Sequence, residues 1–309
     1  MLQPKIFFHS APEVQRQKRA LSEAQARTDL EVLREQHLSP NGRGKNDATL
    51  YILGSGESVL DLTETHWERI ARGSSIGIGG WALHPFVPDL LAIETPRALG
   101  GKVGLPGQER SMLEESYDSS LKSWTNRTSV IESNSQILFF RPQSPDGDWR
   151  IETLRKEQRE KALIYGRFGA ASKSPATLQS ELGLYFGLLK AGRIPFCLPF
   201  DTGSTVVRLV SLGLAGGFKK IVLAGVDLVG SRYFWESNPD FLTQNGLSHF
   251  FTGQRVGVHL SESGQGNMPV SLALSGISEF AKRKLSAEIF VASNGSWLSR
   301  VLNVDSDLG

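Results

Sequence analysis

The chain has 309 residues, 39% of them hydrophobic and 21% charged, with a formal net charge of +2. That length can bury a full core in one large or two small domains, and the near-neutral balance gives no ground for a nucleic-acid partner. No segment reaches the ~18 uninterrupted apolar residues of a membrane span; the most apolar run, 209–226, is broken by Lys219 and Lys220. No basic-then-apolar leader opens the chain. The single Cys197 lies in the apolar run Ile194-Pro195-Phe196-Cys197-Leu198, where it reads as a small buried hydrophobe rather than a nucleophile. A cytoplasmic setting is expected, with peripheral contact to an inner membrane left open.

Residues 11–38 predict one polar helix with a thin apolar stripe of Leu21, Ala24, Leu30, Leu33 and Leu38. It reads as a solvated helix packed on the domain, the alternative being an oligomerising or membrane-surface arm. Turn residues mark 39–46 as a linker. The chain thus divides into an N-terminal helical extension and linker, 1–48, and one α/β domain, 49–309.

That domain opens on Thr49-Leu50-Tyr51-Ile52-Leu53, a strand running into Gly54-Ser55-Gly56-Glu57-Ser58 and then a helical pattern. Glycines that let the backbone approach a ligand, followed by free helix amides, form a phosphate-binding arrangement. Neither the P-loop lysine nor a complete G-x-G-x-x-G is present, so a tight strand-to-helix turn is the competing reading.

Further along, strands are expected at 74–78, running into Gly79-Gly80, at 90–94, ending at Glu94-Thr95-Pro96, and at 135–140. A helix is expected near 110–122. An amphipathic helix at 177–192 leads to a buried strand at 194–200. A helix at 205–215, a strand at 219–227 and a long insert, 229–259, follow. Pro269 then opens a helix; 288–292 is a strand, Ser293-Asn294-Gly295-Ser296 a tight turn and 297–302 a closing helix. Strands alternating with helices predict a Rossmann-type, mostly parallel sheet covered on both faces, with the insert as a lid.

In such a sheet the ligand lies outside the carboxyl ends of the strands. Ser55 to Ser58, Gly79, Glu94 and Asp227 stand at those ends. Asp227 there can accept from a sugar hydroxyl, or serve as a cap or loop anchor. The insert carries Arg232, Tyr233, Trp235, His249 and Arg255 without apolar periodicity, as suits a lid over an anionic ligand. His249 and His259 close it, and an imidazole titrating near pH ~6.5 can take a proton from a hydroxyl. No H-x-x-x-H pair and only one cysteine are present to ligate a metal, and no G-x-S-x-G elbow follows a strand.

Taken in order, these motifs resemble the bacterial sialyltransferases of glycosyltransferase family 42. Ser55-Gly56-Glu57-Ser58 stands where that family has Asn-Gly-Pro-Ser, and Gly225-Val226-Asp227 where it has Gly-Ile-Asp. Tyr233 stands for a lid tyrosine, Ser248-His249 and then His259 for a Ser-His pair and second histidine, and Ser293-Asn294-Gly295-Ser296 for a Pro-Asn-Ser turn. The resemblance covers roughly 49–309. It implies a CMP-activated acidic sugar as donor, sialic acid or a related sugar such as Kdo, with no cofactor or metal. It implies inverting transfer to a surface glycan or glycolipid of the lipo-oligosaccharide or capsule type.

On that resemblance His259 is the general base and Tyr233 bonds the departing phosphate. Ser55, Gly56, Ser58, Gly79, Glu94, Asp227, Asn294 and Ser296 line the donor site, with Arg232 and His249 near phosphate or acceptor. The chain departs from the family at Ser55, at Gly79-Gly80, at Val229 in place of a second lid tyrosine, and at Asp201-Thr202-Gly203-Ser204-Thr205 in place of an arginine and Thr-Ser-Gly. Another nucleotide-dependent transferase, a diphosphokinase, or a non-catalytic nucleotide- or glycan-binding module are the competing functions. A homo-oligomer is a further expectation.

Overall fold

The computed structural model describes residues 4–28, 30–40, 48–93, 124–126, 128–133, 135–140, 156–170, 172–230, 232–237, 262 and 268–307. Its strands are β1 (Glu31–Val32), β2 (Thr49–Leu53), β3 (Ser74–Ile78), β4 (Leu90–Ile93), β5 (Gln136–Phe140), β6 (Leu163–Tyr165), β7 (Phe168–Gly169), β8 (Phe200–Asp201), β9 (Lys220–Ala224), β10 (Glu288–Val291) and β11 (Asn303–Val304). The helices are α1 (Pro4–Thr28), α2 (Glu64–Arg72), α3 (Thr128–Glu132), α4 (Lys156–Arg159), α5 (Pro175–Lys190), α6 (Thr205–Ala215) and α7 (Val270–Phe280).

Nine strands form one sheet in the order β1-β6-β5-β4-β3-β2-β9-β10-β11, and β7 pairs with β8 apart from it. Every pairing is parallel. Successive side chains of a strand face opposite sides, so burial of every residue in β2, β3 and β4 requires cover on both faces. Helix α2 packs on β3, α6 on β2, and α7 on α5 and α6. The expected Rossmann-type architecture is the observed one. β3 lies on one side of β2 and β9 on the other, so the strand order reverses between β2 and β9. The carboxyl ends of those two strands are the place where such sheets bind ligands.

The N-terminal segment differs from expectation. The helix ends at Thr28, and Glu31–Val32 joins the sheet beside β6, with Leu33 N donating to Ile164 O at 2.9 Å. Leu30, Leu33 and Leu38 are buried in the main core. Residues 30–38 are therefore built into the fold. Leucines three to five apart fit a helix stripe, and that periodicity hides a two-residue edge strand.

Residues 194–199 turn rather than extend, since Pro195 and Pro199 cannot donate to a ladder; only Phe200 and Asp201 pair, with Phe168 and Gly169. The closing helix is a single 3-10 turn, Trp297–Arg300, and the chain then adds an edge strand, β11. The helix expected near 110–122 lies outside the described residues.

Candidate functional site at the strand-order reversal

The turns after β2 and β9 interlock. Gly54 N donates to Ala224 O and Gly56 N to Gly225 O, both at 2.7 Å. Gly225 has φ +64°, and a Cβ there would lie 2.3 Å from Gly54 O. These two glycines allow one backbone to touch another, a close approach that the sequence assigns to a ligand.

Residues Glu57–Asp61 then form a 3-10 helix. Its start is occupied by Asp227, which accepts from Ser58 N at 2.9 Å and from Ser58 Oγ at 2.7 Å. Asp227 is thus a loop anchor, the second of its two readings. Burial raises its pKa above the usual carboxylate value, opposed by the two Ser58 bonds and Ser296, while the charge of Asp61 raises it further. A second carboxylate makes a parallel link: Ser293 Oγ donates to Asp61, and a Cβ on Gly295 would meet Asp61 Oδ2 at 2.6 Å.

Around this junction the sequence-predicted residues converge. Ser55 is buried and donates to Ile78 O at 3.3 Å. Gly79 is exposed with φ +61°, a left-handed conformation that favours glycine. Ser296 is buried, donating to Val226 O at 3.0 Å and accepting from Leu298 N. Asn294 is exposed on the adjoining turn. Ser55, Gly56, Ser58, Gly79, Asp227, Asn294 and Ser296 therefore share one rim, made by the ends of β2, β3, β9 and β10. Glu94, His249 and His259 lie outside the described residues.

Residues 232–237, part of the insert expected to be a lid, are built into this rim. Tyr233 pairs with Gly56 in an antiparallel bridge, Glu57 N donates to Arg232 O at 2.9 Å, and Phe234 N donates to Ser55 O at 3.0 Å. Ser237 Oγ donates to Glu57 at 2.7 Å. Tyr233 stacks on Trp235 at 4.4 Å with the rings 7° from parallel. The buried Trp235 fills the space beside Gly80, whose Cβ would stand 2.4 Å from its ring. Phe234 and Trp235 anchor the segment by burial, while the Arg232 side chain is exposed.

One polar cluster was not singled out from the sequence. Asp201 accepts from Gly203 N at 2.7 Å, Ser204 N at 3.1 Å, Arg208 at 3.0 Å and Arg167 at 3.4 Å. Burial raises the pKa of Asp201 against Arg167 and the amides of Gly203 and Ser204, and burial lowers that of Arg208 to about 9. Since α6 returns the chain to the start of β9, its first turn lies on the same edge of the sheet as Asp227. The signal was available as an Asp three residues ahead of Ser204 with an arginine in the next turn. Cys197 is buried and its thiol is pushed up to about 11, mainly by that burial, as suits an inert side chain.

Among the described residues no group of three His, Cys, Asp or Glu could hold a metal ion, and no helix is long and apolar enough to cross a membrane. No protein-family model matches the chain, and a search of curated proteins finds no match. Solved structures show a distant likeness. The monofunctional α-2,3-sialyltransferase Cst-I from Campylobacter jejuni is 12% identical over 85% of this chain and 82% of its own, with a TM-score of 0.43. The sialyltransferase Cst-II, in a variant complexed with CMP, is 11% identical over 84% and 87%, with a TM-score of 0.45. The Maf glycosyltransferase from Magnetospirillum magneticum is 17% identical over 94% of this chain but 37% of its own, with a TM-score of 0.42.

Proposed function

We propose that this protein is a glycosyltransferase that moves an acidic sugar, sialic acid or a relative such as Kdo, from a CMP donor to a hydroxyl of a bacterial surface glycan. The observation that carries the reading is the convergence of Ser55, Gly79, Asn294 and Ser296 where the strand order reverses. The order of motifs that resembles family 42 adds to it. In this reading the rim receives the nucleotide, Tyr233 beside Gly56 bonds the departing phosphate, and Arg232 offers a cation. His259 takes the acceptor proton as the hydroxyl oxygen attacks the anomeric carbon. CMP leaves from the opposite face, so the configuration inverts. Amides, hydroxyls and cations stabilise the leaving group without a metal.

Calorimetry against CMP, UMP, GMP, NADH and S-adenosylmethionine tests the donor, and preference for any ligand but CMP overturns it. Incubation with a CMP-sugar separates an enzyme from a binding module: slow donor cleavage without acceptor marks a transferase, while tight binding without cleavage marks a module. His259→Ala should lower transfer by ~10²–10⁴-fold and leave CMP affinity nearly unchanged, with His249→Ala costing less. Transfer by His259→Ala at the parent rate removes His259 as the base.

A further inference from the structure

His84 follows the 3-10 turn Gly79–Leu83 that ends β3, and its ring stands in a group of aromatic side chains. It stacks 4.2 Å from the Trp81 ring and 5.0 Å from that of Trp67 on α2, and Phe234 meets it edge-on at 5.1 Å. Phe234 belongs to the segment whose amides and carbonyls pair with Ser55 and Glu57. One imidazole therefore touches the turn after β3, helix α2 and the 232–237 segment together.

The ring is also held in one tautomer. Phe86 N donates to its Nδ1 at 3.1 Å, so the ring proton sits on Nε2 and the ring must be neutral. A second proton would occupy Nδ1. The Phe86 amide would then face a donor, and an imidazolium would sit among hydrocarbon rings. Attraction between that cation and the indole faces works in the opposite direction but cannot restore the Phe86 bond.

The rings in contact with His84 carry no charge. The charged or titratable side chains on the same elements are Glu64, His66, Glu68, Arg69 and Arg72 of α2, Asp89 ahead of β4, and Arg232, Tyr233 and Glu236 around Phe234. Of these, Arg69 bonds the Asp307 carbonyl, Asp89 accepts from Ser75, and Glu236 accepts from Tyr233 N.

We propose that His84 is a proton-operated clasp: neutral, it holds the 232–237 segment against the turn after β2, and protonated, it lets that segment go. This follows from the packing alone and stands apart from the transferase reading.

His37 and His66 also accept backbone amides on Nδ1, from Arg34 and Thr63 at 3.0 Å, so acid loosens other places as well. The test must isolate His84. Asparagine can accept the amide two residues on with its Oδ1 but does not titrate in this range, so His84→Asn keeps the bond and removes the switch. Amide exchange of Glu57 and Phe234 is measured at pH ~8 and ~5.5 and corrected for the intrinsic rate.

In the parent, protection of both amides should fall about tenfold or more at the lower pH. Emission from Trp81 and Trp67 should fall with the same midpoint, because an imidazolium quenches a stacked indole. In His84→Asn both should be flat. Equal protection in the parent at both pH values, or a loss that persists in His84→Asn, overturns the clasp. If His84→Asn does not fold, the ring ¹⁵N shifts of the parent decide. Titration of His84 coincident with loss of Phe234 protection supports the clasp, and separate midpoints exclude it.

Discussion

Asp227 grips Ser58 twice, accepting from its amide at 2.9 Å and from its hydroxyl at 2.7 Å. The start of the 3-10 helix is therefore satisfied from within the chain, and the turn keeps its shape before any ligand arrives. Preorganised donors cost no rearrangement when charge develops on a ligand. Within the turn, Gly54 faces the Gly225 backbone and Gly56 faces the Asp227 side chain.

A hydrogen bond to a charged group contributes about 1.5–3 kcal/mol. Ser58→Ala removes one of the two and should cost about that much in urea denaturation. Asp227→Ala should cost more, since it leaves both Ser58 donors without this acceptor. In the double variant the penalties should fall short of their sum, because both mutations remove the same contact. Full additivity would show that the two side chains do not act together.

Gly56 is the sharper test of the same junction. A Cβ on it would lie 2.3 Å from Asp227 Oδ2 and 2.7 Å from Asp227 Cβ. From the sequence, Gly56→Val is expected to block a nucleotide and leave the fold intact. The structure changes that expectation, because the new side chain collides with the chain's own anchor. Even Gly56→Ala should lose about 1–3 kcal/mol and displace Tyr233, its bridge partner. A variant of parent stability that has lost only CMP binding would return the glycine to the ligand.

The alternating strands and helices were legible because β2, β4 and β9 are short apolar runs bounded by turn residues, and α5 and α6 keep helical spacing between them. The rim followed from the rule that parallel strands present their carboxyl ends to a ligand. What stayed hidden depends on partners distant in sequence. Asp227 could accept from a sugar or from Ser58, and only the register of β2 against β9 decides. Edge strands of two residues, β1 and β11, carry no period to detect. Phe234 and Trp235 lack a repeat, yet they bury against Gly80 and Trp81. The Asp201 cluster reaches across 34 residues to Arg167, which does not advertise its partner.

Lys220, the first residue of β9, binds Asp305 at 2.8 Å and Asp307 at 2.7 Å. Burial alone would lower the lysine's pKa, but the two carboxylates raise it above the ordinary 10.5. The lysine holds Asp307 below its ordinary 3.8. The lysine's share of stability is complete below 10.5 and is lost as pH rises through its folded value. The share of Asp307 is complete above 3.8 and is lost as pH falls through its own. Lys220→Met should therefore carry a constant penalty between pH ~5 and ~9, about 1 kcal/mol for the Asp305 contact. Below pH ~3.8 the part of the penalty that rests on Asp307 should disappear. A penalty that grows on acidification would contradict the assignment.

Asp201 and Arg208 are almost fully buried as an ion pair, with side-chain exposures of 1% and 4%. Removing one partner of such a pair typically costs about 3–5 kcal/mol, because the other charge stays behind without compensation. The two removals should differ here. Arg208→Met leaves Asp201 still bonded to Gly203 N, Ser204 N and Arg167. Asp201→Ala leaves Arg208 buried beside Arg167, with Thr205 as its remaining hydrogen-bond partner from this group. Like charges then replace a pair, and the first turn of α6 loses the acceptor that fixes it. Asp201→Ala should therefore unfold at the lower urea concentration, by a margin approaching one charged hydrogen bond, ~1.5 kcal/mol or more. If the rim holds CMP as proposed, Asp201→Ala should also weaken that binding, because the turn lies on the same edge of the sheet, whereas Arg208→Met should bind nearly as the parent does. Equal losses of stability in the two variants would mean that the amides of Gly203 and Ser204 contribute little. Asp201 would then be a partner to Arg208 alone.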